Sequence, residues 1–157
     1  MTSVVLLPDE AATLALGATL APALAPGHVL FLHGELGAGK TTVVRGLLRE
    51  LGCTGRVKSP TYSLVEHYTL SRLDLYHFDF YRLEQQTEWL DAGFREIFNA
   101  HSVCLVEWPE RAGASMPAES LTVDLSVTGK GRHARLLAPA RWQQRIARAL
   151  GPPGVAD

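Results

Sequence analysis

An α/β fold of three layers, with helices on either side of a mixed parallel and antiparallel sheet, is what the sequence predicts, on three observations. The first is Gly34-Glu35-Leu36-Gly37-Ala38-Gly39-Lys40-Thr41-Thr42, which fits G-x-x-x-x-G-K-[ST] at every fixed position. It stands between the apolar run Val29 to Leu32 and a pattern of helical period, so strand, loop and helix follow in the required order. The second is Val103-Cys104-Leu105-Val106-Glu107, four apolar residues closed by an acid, the form of a buried parallel strand. The third is two pairs of strand-like segments joined by short polar turns, which read as antiparallel hairpins. Together these describe a P-loop NTPase-like architecture, expected to be a single domain over residues 1–150 followed by a flexible tail, 151–157.

Composition agrees. The 157 residues are 46% hydrophobic and 20% charged, ordinary for a soluble globular chain. No apolar stretch approaches the ~20 residues that a membrane helix needs. Val4 to Leu7 is broken by Pro8-Asp9-Glu10 and has no basic flank, so it does not read as a signal peptide. Cys53 and Cys104 are too few for a disulfide framework, which fits a reducing, cytoplasmic setting. With 15 basic against 16 acidic groups and a net charge of −1, no large nucleic-acid-binding surface is expected.

Taken in order, Val4 to Leu7 reads as a strand, and Pro8 suits a first helical turn with Asp9 and Glu10 favoured by the helix dipole. Leu16, Leu20 and Leu24 repeat at helical spacing until Pro22 ends or kinks the helix, and Pro26-Gly27 turns into the next strand. In the loop that follows, glycines let successive N–H groups turn inward, and the next helix adds its partial positive charge, so polyphosphate is held by main chain. Leu36, Gly37, Ala38, Gly39, Lys40, Thr41 and Thr42 form this cradle. Lys40 reaches the β/γ-phosphates and the Thr41 hydroxyl is placed for Mg²⁺. Val43, Val44, Leu47, Leu48 and Leu51 give the helix its buried stripe, and Gly52 stops it.

Residues 53–62 form a polar connection long enough to reach back over a nucleotide. Thr61 turns its hydroxyl or carbonyl toward the γ-phosphate or Mg²⁺, or Ser59-Pro60-Thr61 is turn chemistry alone. Ser63 to Tyr68 and Leu73 to Tyr81 are the first hairpin. In its second strand Leu73, Leu75, His77, Asp79 and Tyr81 share one face and Tyr76, Phe78 and Phe80 the other. Asp79 is then either a carboxylate facing the nucleotide or an exposed strand residue. His77 reads as a packed or hydrogen-bonded histidine, because no second histidine stands at metal spacing.

Glu84 to Leu90 and Phe94 to Phe98 read as short helices split at Gly93, with Trp89, Leu90, Phe94, Ile97 and Phe98 in the core. Glu107 ends its strand where a Walker B carboxylate reaches the cation beside Thr41, although aspartate is commoner there. Leu121 to Val127 and Ala134 to Leu137 flank the basic tip Thr128-Gly129-Lys130-Gly131-Arg132. Arg132 contacts the nucleotide or a partner, or is a solvated charge. A helix over 140–150 places Arg141, Arg145 and Arg148 on one side.

These residues, in this order, resemble the TsaE (YjeE) family, the ATPases of bacterial tRNA threonylcarbamoyladenosine biosynthesis. The resemblance is carried by Leu7-Pro8-Asp9-Glu10 with Thr13 and Leu16-Gly17, the cradle, Lys58-Ser59-Pro60-Thr61-Tyr62 with Leu64-Val65-Glu66, His77-Phe78-Asp79-Phe80-Tyr81-Arg82-Leu83 and Leu105-Val106-Glu107-Trp108-Pro109-Glu110. It implies ATP or ADP and Mg²⁺ as ligands, work in complex with TsaB and TsaD, and contact with tRNA through that complex. TsaD carries out threonylcarbamoyl transfer to adenosine 37, and hydrolysis by TsaE supports turnover. By the same resemblance Thr41 and Glu107 are the Mg²⁺ ligands, Lys40 the phosphate clamp, Thr61 the switch residue and Asp79 a carboxylate needed for hydrolysis. Glu10, Glu110 and Arg132 become nucleotide-proximal positions. The chain departs from the family in Glu35, where aspartate is usual, and in Gln85-Gln86-Thr87, which replaces an acidic stretch.

Three rival functions share the cradle. A GTPase needs Asn-Lys-x-Asp and Asp-x-x-Gly, and neither string occurs. A small-molecule kinase needs an acceptor pocket and usually an arginine-bearing lid, and no such segment follows Glu107. A nucleotide-gated binding module with negligible hydrolysis would use the same residues.

Overall fold

The computed structural model describes residues 2–58, 60, 63–70, 73–117 and 121–151. Its seven strands form one sheet in the order β1-β7-β6-β2-β5-β4-β3. These are β1 (Thr2–Leu7), β2 (Val29–His33), β3 (Val65–Thr69), β4 (Asp74–Asp79), β5 (Ser102–Glu107), β6 (Leu121–Thr128) and β7 (Gly131–Leu137). The central strands β6, β2, β5 and β4 are mutually parallel, while β1, β7 and β3 add antiparallel edges. The mixed sheet is therefore as the sequence predicts.

Strand parity explains the layers. Side chains alternate across a sheet, so Leu30, Leu32, Leu75, Val103 and Leu105 face one core and Val29, Phe78, Cys104 and Val106 the other. The first core is aliphatic apart from Trp142 and is closed by α1 (Glu10–Leu20), α2 (Lys40–Glu50) and α4 (Ala140–Leu150), the last of which supplies that tryptophan. The second is aromatic: Phe78 lies 5.0 Å from Phe98 and Phe80 5.8 Å from Trp89, ring centre to ring centre, with Trp89 supplied by α3 (Glu88–Asp91). Both faces of β5 are buried, which is why its sequence is a continuous apolar run rather than an alternation.

α1 and α2 cross with their backbones nearly touching. A Cβ on Gly17 would fall 2.1 Å from the Val43 carbonyl oxygen, and one on Gly46 would fall 2.1 Å from that of Leu14. No side chain fits either position, so each helix presents a glycine to the other.

Several boundaries differ from expectation. Pro8 lies outside α1, and Asp9 is the N-cap, its Oδ1 accepting from the Ala12 N–H at 2.8 Å. The helix ends at Leu20 and a 3₁₀ turn over Ala21–Ala23 takes in Pro22. β3 starts at Val65 and β4 spans only Asp74–Asp79. The helix expected from Glu84 shrinks to α3, because the Glu88 carboxylate accepts from the N–H groups of Glu84 and Gln85 and fastens that segment as a turn. Phe94–Ile97 is a 3₁₀ turn. The second hairpin pairs up to Thr128 and Gly131, so its tip is Gly129-Lys130 and Arg132 belongs to β7. Residues 152–157 of the expected tail lie outside the described residues.

Candidate functional site

The cradle joins β2 to α2 at the carboxyl ends of the parallel strands, where open α/β sheets hold their ligands. Gly39 caps α2 at φ 109°, a left-handed conformation that costs glycine nothing. Gly34, at φ 152°, passes so close to β6 that a Cβ would sit 2.8 Å from the Leu125 carbonyl oxygen. Side chains at these positions would fill or distort the loop.

Lys40 curls back over this loop. Its Nζ donates to the carbonyl oxygens of Gly34 (2.5 Å) and Glu35 (3.0 Å) and lies 4.4 Å from the centre of the Trp108 ring. Burial holds the ammonium below its ordinary pKa, against the pull of the Glu107 and Asp79 carboxylates. Trp108 reaches this position from a left-handed backbone at φ 57°, ψ 48°, and Tyr81 packs against it with ring centres 5.1 Å apart.

Register brings the acids together. In the parallel β4/β5 pair Asp79 stands opposite Glu107 and His77 opposite Leu105, so His77, Asp79 and Glu107 share the α2 face of the sheet. The Thr41 hydroxyl donates to the Glu107 carboxylate, 3.1 Å from Oε1 and 3.2 Å from Oε2. His77 is fully buried and bonds Glu107 Oε2 at 2.6 Å. A carboxylate only accepts, so His77 Nε2 carries the proton. Asp79 is buried, and its Oδ1 accepts from the Tyr81 N–H at 3.0 Å. A cavity of about 330 Å³ is lined by Leu36, Gly37, Gly39, Lys40, Thr41, Thr42, Asp79 and Glu107, together with Tyr81, Arg82 and Trp108.

On the other side of Gly37 and Gly39 lies a cavity of about 300 Å³, walled by the start of α1 (Asp9, Glu10, Thr13), by Ala38 and Thr42, and by Lys130, Gly131 and Arg132. Arg132 donates from Nη2 to the Gly37 carbonyl oxygen at 3.3 Å, which ties the β6/β7 hairpin to the cradle. Glu10 also lies 4.0 Å from Arg45. Glu110 is placed apart from these two. It pairs with His33 Nδ1 at 3.0 Å and lines a different hollow with Gly34, Glu35 and Trp108. Thr61 lies outside the described residues.

The residues suit a polyphosphate with a hard cation. The start of α2 and the Lys40 ammonium answer phosphate charge, and Thr41 with Glu107 offers oxygen ligands. Among the described residues no group of three or more His, Cys, Asp or Glu could hold a metal. A cation here would take its remaining ligands from phosphate and water. Sequence reasoning missed the partners of this machinery, namely His77 on Glu107, Trp108 over Lys40, His33 on Glu110, and Thr13 and Lys130 in the second cavity. The pairing of β4 with β5 held the signal for His77, since two adjacent parallel strands each carry a polar residue in an apolar context.

Comparison with known proteins gives a consistent result. The family model for threonylcarbamoyl adenosine biosynthesis protein TsaE matches residues 7–135. The tRNA threonylcarbamoyladenosine biosynthesis protein TsaE of Haemophilus influenzae is 38% identical over 149 residues, covering 92% of this chain and 94% of the relative. The Bacillus subtilis protein of the same name is 43% identical over 104 residues, 66% of this chain and 65% of the relative. The crystal structure of Bacillus subtilis YdiB superposes with a TM-score of 0.79 at 30% identity, over 96% of this chain and 95% of the other. From cradle, strand order and sequence alike, the chain belongs to the TsaE family.

Proposed function

We propose that this protein binds ATP with Mg²⁺ and hydrolyses it to ADP and phosphate, in support of tRNA threonylcarbamoyladenosine formation in the cytoplasm, as part of a complex with TsaB and TsaD. The observation that carries the reading is the Thr41 hydroxyl against the Glu107 carboxylate, side by side at the ends of a cradle helix and a buried strand. The relatives' names supply the pathway. No helix among the described residues is long and apolar enough to cross a membrane.

In this reading the main chain of Leu36 to Thr42 grips the phosphates, and Lys40 exchanges its loop carbonyl partners for phosphate oxygens. The cation would be held by Thr41 and Glu107, and when bound it supplies charge neutralisation for phosphoryl transfer. Asp79, buried beside Glu107, is set to orient water or accept its proton. Glu10, Thr13 and Arg132 flank the space for the nucleoside. A net charge of −1 gives the chain little hold on tRNA, so tRNA is reached through the partners.

Two variants test this. Lys40→Ala removes a charge-assisted contact, and ATP binding should fall at least tenfold. Unchanged affinity and hydrolysis would remove the cradle from the function. ADP release should rise severalfold when TsaB and TsaD are added, and Asp79→Ala should lose most of that rise while still binding ATP. A normal stimulated rate in Asp79→Ala would exclude that residue from the mechanism.

A further inference from the structure

We infer that His77 is a positioning residue, which from the middle of β4 sets the orientation in which the Glu107 carboxylate meets Thr41. The inference rests on the reading of Glu107 as a cation ligand and extends it to a side chain that touches no ligand.

Three observations carry it. His77 and Glu107 are both buried, with side chains 0% and 4% exposed, and their 2.6 Å contact is the short kind made to a charged acceptor. The bond falls on Oε2, whereas the Thr41 hydroxyl lies almost equally far from both oxygens. His77 therefore fixes the rotation of the carboxylate about its own axis, a freedom that Thr41 leaves open. The third observation is that His77 Nδ1 is buried without a hydrogen-bond partner among the described residues.

That orphan nitrogen argues against a purely structural role. Packing alone gives no reason to keep a histidine at this depth, because a buried polar atom without a partner is costly. An aliphatic residue beside Leu75 would fill the same space without that cost. What only the imidazole provides is an N–H at the right height on the strand to reach an acid on the next. Outer partners of this kind orient ligating groups, and losing one commonly weakens metal binding by 10–100-fold.

The test uses the full chain with ATP and Mg²⁺. Nucleotide affinity is measured in EDTA and then across a Mg²⁺ series for the parent, His77→Leu and His77→Gln. The glutamine amide stands near the place of Nε2 and can still donate to Glu107. Affinity in EDTA should agree within about twofold for all three, whereas the Mg²⁺ midpoint should rise about tenfold in His77→Leu and return near the parent value in His77→Gln. Equal midpoints in parent and His77→Leu would overturn the inference, as would a glutamine variant displaced as far as the leucine one. If His77→Leu does not fold, His77→Asn replaces it, since its shorter amide falls short of Glu107. Equal midpoints for the asparagine and glutamine variants would then overturn the inference. A parent whose affinity ignores Mg²⁺ would overturn the cation reading together with the inference, a result distinct from a metal-responsive parent matched by its variants.

Discussion

Two histidine–glutamate pairs stand around the end of β5, built from the same groups and set at opposite depths. His77 and Glu107 meet at 2.6 Å with side chains 0% and 4% exposed, whereas His33 and Glu110 meet at 3.0 Å with 33% and 46% exposed. The glutamates are three residues apart, and between them Trp108 turns the chain through a left-handed conformation that sends one acid inward and the other out. Identical chemistry thus serves different ends. In the buried pair His77 is closed off from solvent and Glu107 nearly so, and their geometry is held. In the outer pair water screens the charges and replaces either partner cheaply.

The strongest way to break this contrast is Glu107→Ala. It should raise the Mg²⁺ midpoint for ATP binding about a hundredfold, the upper end of what even outer partners cost, while affinity in EDTA changes little. If Glu110→Ala moved the metal titration as far, depth would not be the deciding variable.

A third histidine sharpens it from another side, because it is packed without an acid. His28 packs against Trp142 with ring centres 3.8 Å apart and planes tilted by 39°, and its Nδ1 accepts from the Ala25 N–H at 3.0 Å. Burial, then the positive charges of Arg145 and Arg141, push its pKa down to about 4 from 6.5. The folded state disfavours protonation here, so this stability is present above pH 6.5 and is lost as pH falls toward about 4. Urea unfolding of parent and His28→Gln should show the parent losing more over that range, by about 1 kcal/mol once partial exposure is discounted.

The smallest effect belongs to the outer pair. Glu110→Ala should cost less than about 1 kcal/mol in urea unfolding. The hydrogen bond that His33 donates to Glu110 raises the His33 pKa above 6.5 against the effect of burial, so this contribution is full below 6.5 and fades as pH rises through the folded value. For Glu110, burial pushes upward, but the bond to His33, its own backbone and nearby positive charge hold it below 4.5, so its share is lost as pH falls through that lower value. The difference between parent and variant should therefore peak between about 4.5 and 6.5 and shrink, without vanishing, as His33 loses its proton at higher pH. An NMR titration of His33 should show its pKa drop in Glu110→Ala.

The contrast also shows what a sequence can disclose. The cradle was legible because glycine, lysine and threonine there answer to local backbone geometry. The mixed sheet followed from apolar runs, and the face carrying Asp79 from simple alternation. The bond from His77 to Glu107 was not legible, because a search for a second histidine at fixed spacing overlooks an acid thirty residues away that only parallel register brings near. The helix expected from Glu84 failed for the opposite reason: one carboxylate, Glu88, outweighed a good helical pattern. Glu110 entered only as a nucleotide-proximal position by resemblance, and the left-handed turn at Trp108 that turns it away from Glu107 is not read from the sequence.

The crossing at Gly17 and Gly46 has a mechanical consequence. α1 is a lever whose fulcrum is the contact of two bare backbones, and its far end carries Asp9, Glu10 and Thr13 into the wall of the second cavity. Where Gly39 meets Thr13 the clearance is already small, since a Cβ there would be 3.2 Å from the threonine methyl. A single methyl group added at the fulcrum would swing the lever outward and widen that wall, so the width of this cavity is calibrated about one to two helical turns away from the residues that line it.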